Sequence, residues 1–295
     1  MKFEFIISKW ANFYFFISNL SEWHFSNRKE YNILWRKELG NFSAEEENAL
    51  KKFKEIRSNY PSGKTFFEQS FFQEDDPWQR LKNNLPSDEY KILKDIFDLF
   101  KNKFEVLYKN DLPFLEQWQK ELEKTANEKN LVENITKILG VLFNTSPSKE
   151  EVKIYLLFST SNHAGGGANI DEQSISVEIS RYPVEQIKQI LGIIWHETTH
   201  LLFQNYFFFS LLLKHFPEDR QMVNLINEAT ISALFPKGIL GIRLLKNKPA
   251  AILCPGLNAT QTVDTLNLVK EYVDQNKQFN EIYLEKILAI IKVKA

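Results

Sequence analysis

One run of five residues, His196-Glu197-Thr198-Thr199-His200, has the types and spacing to hold a metal ion and do acid–base chemistry beside it. Side chains four apart share one face of a helix, so both imidazoles can ligate a single ion. Glu197 is then placed to take a proton from a water on that ion. With 5 His in 295 residues, an HExxH pattern arises by chance in roughly one such chain in a hundred, so the match carries weight. If His196 and His200 were ordinary core residues, two imidazoles and a carboxylate would each need a buried partner. One metal ion satisfies all three.

The flanks predict the helix that this arrangement needs. Val184 to His215 is rich in Leu, Ile and Phe with one Gly and no Pro, which reads as one long buried helix. Pro183 suits its first turn. Gly192, one turn before His196, leaves room either for a substrate or for a closely packed neighbour.

A catalytic zinc takes three protein ligands and keeps a fourth position open. The metzincin continuation is absent, because Phe203 and Tyr206 stand where its Gly and His would fall. A third ligand must come from later in the chain, and Glu228 and Asp219 compete. A helix running to His215 ends roughly 22 Å beyond His200, and a returning helix brings Glu228 back by roughly 14 Å from Asp219. The path favours Glu228; Asp219, in the polar turn Phe216–Arg220, also suits a helix start.

His196-Glu197-Thr198-Thr199-His200 followed by Asn227-Glu228-Ala229 resembles the gluzincin arrangement of thermolysin-like metallopeptidases. The resemblance covers two short segments. It implies zinc held by His196, His200 and Glu228, with Glu197 as general base. Ser232 stands where thermolysin-like enzymes place an Asp that supports a zinc histidine, so the surroundings of the ligands must differ. The interval from His200 to Glu228 is also longer than in the best-known members.

Upstream, Val152–Phe158 and Ser174–Ile179 have the composition and alternation of strands. Between them Ser159–Asn169 reads as a loop carrying Gly165-Gly166-Gly167. The order strand, Gly-rich loop, strand, HExxH helix also resembles gluzincin catalytic domains, in which an edge strand pairs with extended substrate. The glycines would permit such an approach, or form a flexible hairpin tip. They do not form a phosphate loop, lacking the Lys-Ser/Thr ending. His163 is a candidate oxyanion donor or a plain surface histidine, and Tyr206, Tyr272, Tyr283 and Arg243 are rivals for the donor role.

The elements that must position these groups give an α+β expectation. Residues 1–145 form a mainly helical N-terminal region, and residues 146–295 a zincin-like part with a small β-sheet, the HExxH helix and a helical end. Phe3–Ile7 reads as a strand; Trp10–Leu20 and Tyr31–Leu39 read as helical. Ser43-Ala44-Glu45-Glu46 caps a helix to about Asn59, and Tyr60–Lys64 reads as a turn. A helix starts at Pro86–Glu89 with apolar residues to Phe104, and Phe114–Leu142 reads as one or two more. Asn144–Glu151 is the best internal boundary, and Gly256–Lys294 closes the chain with two helices.

A net charge of −1 gives no case for nucleic acid or an anionic membrane. No signal segment or span is readable. The single Cys254 fits a reducing compartment and reads as a buried thiol rather than a nucleophile. The expectation is therefore a cytoplasmic zinc metallopeptidase acting on a peptide or protein, and an endopeptidase or oligopeptidase, since no group that would bind a chain terminus is readable. The rivals are a non-catalytic, metal-stabilised binding module and a zinc hydrolase of non-peptide amides. An intact Glu197 counts against the first, because a structural zinc needs no base.

Overall fold

The computed structural model describes residues 1–23, 27–60, 66–73, 76–147, 150–160, 162–169, 174–203, 207–248, 254 and 256–292. The chain is α+β. Strand β1 (Lys2–Ile6) is followed by seven helices: α1 (Lys9–Ser21), α2 (Lys29–Leu39), α3 (Ala44–Asn59), α4 (Phe66–Gln73), α5 (Pro77–Asn84), α6 (Ser87–Thr125) and α7 (Lys129–Leu142). Strands β2 (Glu151–Leu157), β3 (Gly165–Asn169) and β4 (Ser174–Glu178) come next. Helices α8 (Ile187–Thr198), α9 (Phe208–His215), α10 (Arg220–Ser232), α11 (Ile239–Arg243), α12 (Ala259–Asp274) and α13 (Glu281–Lys292) complete it.

Local chemistry accounts for several boundaries. The Ser43 hydroxyl accepts from Glu46 N at 3.1 Å, and the Glu46 carboxylate accepts from Ser43 N at 2.7 Å, the reciprocal cap expected from the sequence. Asp219 caps α10 by accepting from Met222 N at 2.9 Å. The turn expected at Tyr60–Lys64 lies, beyond Tyr60, outside the described residues. The helices expected between Pro86 and Leu142 are divided differently: α6 continues through Pro113 to Thr125. A proline inside a helix forfeits one backbone bond, but the buried Leu107, Leu115, Trp118 and Leu122 hold one apolar face across it.

The sheet order is β1-β2-β4-β3, with β1, β2 and β4 parallel and β3 antiparallel to β4. β1 pairs with β2 from Lys2↔Glu151 to Ile6↔Tyr155. The boundary expected at 145/146 falls between α7 and β2, yet the sheet is shared across it. Asn12 of α1 reinforces this join, donating to Leu156 O at 3.0 Å and accepting from Phe158 N at 2.9 Å. The outer edge of β1 is covered by side chains. Asn127 accepts from Phe3 N at 2.7 Å and donates to Phe3 O at 2.9 Å, and Gln119 donates to Phe5 O at 2.7 Å. Among the described residues, β3 is the other edge and no further strand pairs with it.

The abundant phenylalanines fill the space between the sheet and the N-terminal helices. Phe13 stacks on Phe104 with centroids 4.1 Å apart, and Phe71 on Phe97 at 4.9 Å. On the sheet's other flank Trp195 of α8 is fully buried, edge-on to Phe3 of β1 at 5.3 Å. Among the described residues, no helix is long and apolar enough to cross a membrane.

Candidate metal centre

The long helix expected over Val184–His215 is interrupted. A 3-10 turn (Val184–Gln186) leads into α8, and a π-helical turn (Thr199–Phe203) follows it before α9. The cause is local. Thr198 and Thr199 turn their hydroxyls back onto Ile194 O and Trp195 O, each at 2.7 Å. Such bonds compete with the backbone for its carbonyls and bend or widen a helix. The interruption shortens the run beyond His200, so α10 can return to it.

His196 and His200 keep their shared face, with Nε2 atoms 3.1 Å apart. Glu228 of α10 completes a triangle, its Oε2 3.5 Å from His196 Nε2 and its Oε1 3.1 Å from His200 Nε2. Ligands bound tetrahedrally at 2.0–2.1 Å from zinc stand about 3.3 Å apart. The two Glu228 contacts run to different oxygens; taking one ligand atom from each residue, the three lie within 4.8 Å of one another, close enough for one ion to draw the group together. Among the described residues it is the one such cluster of His, Cys, Asp and Glu. Asp219 does not join it; at the start of α10 it lies about 13 Å along the helix from Glu228, occupied as a cap.

The far sides of the rings are held as well. His196 Nδ1 lies 3.3 Å from the Phe235 carbonyl oxygen. A carbonyl can only accept, so Nδ1 carries the proton and Nε2 keeps the lone pair that a metal requires. The side-chain amide of Asn227, 4% exposed, reaches His200 Nδ1 at 3.4 Å. Its oxygen end, turned to the ring, would fix the same tautomer. Phe235 and Asn227 thus stand on the far sides of the two rings, the place of support that the thermolysin-like resemblance assigned to a residue at the position of Ser232. Burial works to raise the Glu228 carboxyl. In the metal-free site the imidazoles of His196 and His200 can instead carry protons at Nε2, and their hydrogen bonds to Glu228 then outweigh burial and hold its carboxyl well below the usual carboxylate range.

Glu197 lines a cleft of about 370 Å³ beside this group, together with Ala164, Gly165, Gly166, Gln189, Ile193, His196, Ser232, Pro236 and Lys237. The glycine run, expected to be a loop, is the edge strand β3 and passes directly over α8. A Cβ at Gly166 would meet Ile193 Cγ2 at 2.7 Å and Glu197 Cγ at 2.9 Å. Only glycine allows this approach. Gly192 makes the packing contact: its Cβ would stand 2.6 Å from Pro236 Cβ.

His163 is not brought to the triad. A Cβ at Gly165 would face His163 Nε2 at 3.0 Å, whereas Gly166 faces Glu197. Adjacent strand residues point to opposite faces, so β3 separates His163 from Glu197. His163 packs instead on Tyr31, with Nε2 3.4 Å from Glu178 Oε2. The Tyr31 hydroxyl donates to the same carboxylate oxygen at 2.6 Å. Of the other expected oxyanion donors, Tyr283 is fully buried with its hydroxyl 2.8 Å from Thr230 Oγ1, and Tyr272 packs against it. Arg243 pairs with Asp274 at 2.6 Å, and Tyr206 lies outside the described residues. Cys254 is buried, its thiol pushed up to about 11 by burial, which suits packing rather than nucleophilic chemistry.

Sequence reasoning passed over Phe235, Gln189 and Lys237. A backbone carbonyl carries no residue-type signal. The segment Pro236-Lys237 has no periodicity that would place it at a cleft.

No protein-family model, curated protein or solved structure matches the chain.

Proposed function

We propose that the protein is a zinc-dependent peptidase of gluzincin type, with His196, His200 and Glu228 as metal ligands and Glu197 as general base. The observation that carries this reading is the convergence of His196, His200 and Glu228, one ligand atom from each within 4.8 Å of the others, beside a cleft lined by Glu197 and roofed by the edge strand β3. Bound zinc would lower the pKa of a coordinated water to about 7 and polarise the scissile carbonyl. Glu197 would accept the proton of the attacking water and pass it to the leaving amine. β3 would hold the substrate backbone extended by ladder hydrogen bonds, with Gly166 keeping the strand close to Glu197. Phe235 and Asn227 would keep both imidazoles in the ligating tautomer. The single buried thiol fits a cytoplasmic location.

The test is elemental analysis of wild type, Glu228→Ala and Asp219→Ala, alongside cleavage of a mixed peptide library by wild type and Glu197→Gln. The expected result is about one zinc per chain in wild type and Asp219→Ala, much less in Glu228→Ala, and library cleavage that Glu197→Gln abolishes while retaining zinc. No zinc in wild type after reconstitution would remove the metal site. Zinc without cleavage of any peptide would leave a metal-stabilised module or a hydrolase of other amides.

A further inference from the structure

The two walls of the cleft differ in charge. One is Ala164–Gly166, which offers backbone and no ionisable side chain. The other is formed by Ser232, Pro236 and Lys237, and Lys237 is the one Lys or Arg that lines the cleft. Its position is fixed by the packing around it. Pro236 presses on α8 at Gly192, and Asn247 donates to the Pro236 carbonyl at 2.7 Å. Lys237 itself is half-buried, and among the described residues no carboxylate pairs with it. Lys103, the one other half-buried lysine among the described residues, has such a partner in Glu46.

An ammonium group in a confined, partly dry cleft without a counter-charge attracts an anion more strongly than one on open surface. With a divalent ion on the triad, the charges of Glu228 and Glu197 balance it, and Lys237 leaves one net positive charge. Gln189 and the Ser232 hydroxyl line the same space and can donate to an anion as well.

We propose that Lys237 receives a carboxylate of the substrate, so that the cleft selects peptides bearing a negative charge close to the bond presented to the metal. This rests on the peptidase reading. The carboxylate is either the α-carboxylate of a C-terminus or an Asp or Glu side chain.

Zinc-loaded Glu197→Gln protein, which binds without turnover, separates these. The probes are fluorescently labelled hexapeptides of one Ala/Leu sequence: with a free C-terminal acid, with a C-terminal amide, and amidated with Glu placed at each position in turn. Fluorescence anisotropy is expected to show about tenfold tighter binding of the acid, or of one Glu peptide, than of the neutral amide, the scale of a charge-assisted hydrogen bond. Raised salt should shrink the difference. Adding Lys237→Met should erase the preference, and adding Lys237→Arg should retain it, with zinc content unchanged in both.

A preference that survives Lys237→Met belongs to the metal and overturns the proposal, as does equal binding of all the peptides. If Lys237→Met in active protein lowers kcat equally on acid and amide peptides without changing KM, the lysine acts on the reacting carbonyl and the proposal also falls. Wild-type cleavage of the same peptides is scored separately. A Lys237-dependent preference without cleavage would retire the peptidase reading and leave a carboxylate-binding cleft.

Discussion

Replacing Gly166 by alanine adds one methyl group at the point where β3 passes over Glu197, the proposed general base. The new carbon would lie 2.7 Å from Ile193 Cγ2, 2.9 Å from Glu197 Cγ and 3.2 Å from Glu197 Oε1. Carbon atoms rest at about 3.5 Å or more, so helix side chains or strand must yield by about 0.6–0.8 Å. Neither has slack: Ile193 is branched and 9% exposed, and β3 is tied to β4 by ladder pairs on both sides of Gly166. Misplacing a reacting group by about 1 Å can cost about 100-fold in rate, so Gly166→Ala is expected to lower kcat/KM by about 10- to 100-fold. Zinc stoichiometry should stay near that of wild type, because no metal ligand meets the new methyl. Gly165→Ala is the internal control. It makes the same change one residue away, but on the face turned to His163 and Glu178, and should cost much less. Peptide cleavage under kcat/KM conditions, with zinc measured on the same samples, decides it. Full activity in Gly166→Ala, or equal losses in the two variants, would refute the claim that the strand's close approach positions Glu197.

Two further outcomes are expected. Asn227→Ala removes the amide beside His200 Nδ1 and should weaken zinc binding by about 10- to 100-fold, read by competition with a chromogenic chelator; unchanged affinity would remove Asn227 from the ligand support. Glu38→Gln tests the ion network that joins α2 to the turn after β4. Burial works to raise the Glu38 carboxyl, and hydrogen bonds from Arg181 and Asn110 outweigh it and hold it below its ordinary value. A carboxyl lowered by folding adds stability above the ordinary Glu value of about 4.3, and that stability is lost as pH falls through the lower folded value. Glu38→Gln should therefore lower Tm by roughly 1–2 °C near pH 7 for a contribution of about 1 kcal/mol. Its melting curve should rejoin that of wild type in acid, and a gap that does not change with pH would contradict the assignment.

Much of the site was legible because its signals are local. The HExxH spacing, the cap at Ser43 and the alternation of Ser174–Glu178 each depend on residues within a few positions of one another. Glu228 was reachable by path length. The rest depended on partners distant in sequence. Glycine disfavours strands, so Gly165–Gly167 reads as a loop until β4 supplies a ladder and α8 forbids a side chain. His163 lies near the glycines in sequence, but the two-residue period of the strand turns it away from Glu197. The π turn hides in two adjacent threonines whose hydroxyls face back along the helix. Phe235 supports His196 through its carbonyl, a group that every residue possesses.

The covering of β1 by Asn127 and Gln119 has a consequence for assembly. A sheet with two open edges can add strands without limit, and that is the route to fibres. Here one side is sealed by side-chain amides, so the sheet can grow by a single strand, at β3. Two molecules meeting through this sheet could do so only β3 to β3, forming a closed pair with no free edge left to propagate. Gly165 and Gly166 of this edge strand also line the cleft beside Glu197. Self-association along this edge and the proposed docking of an extended peptide would therefore compete for the same backbone groups.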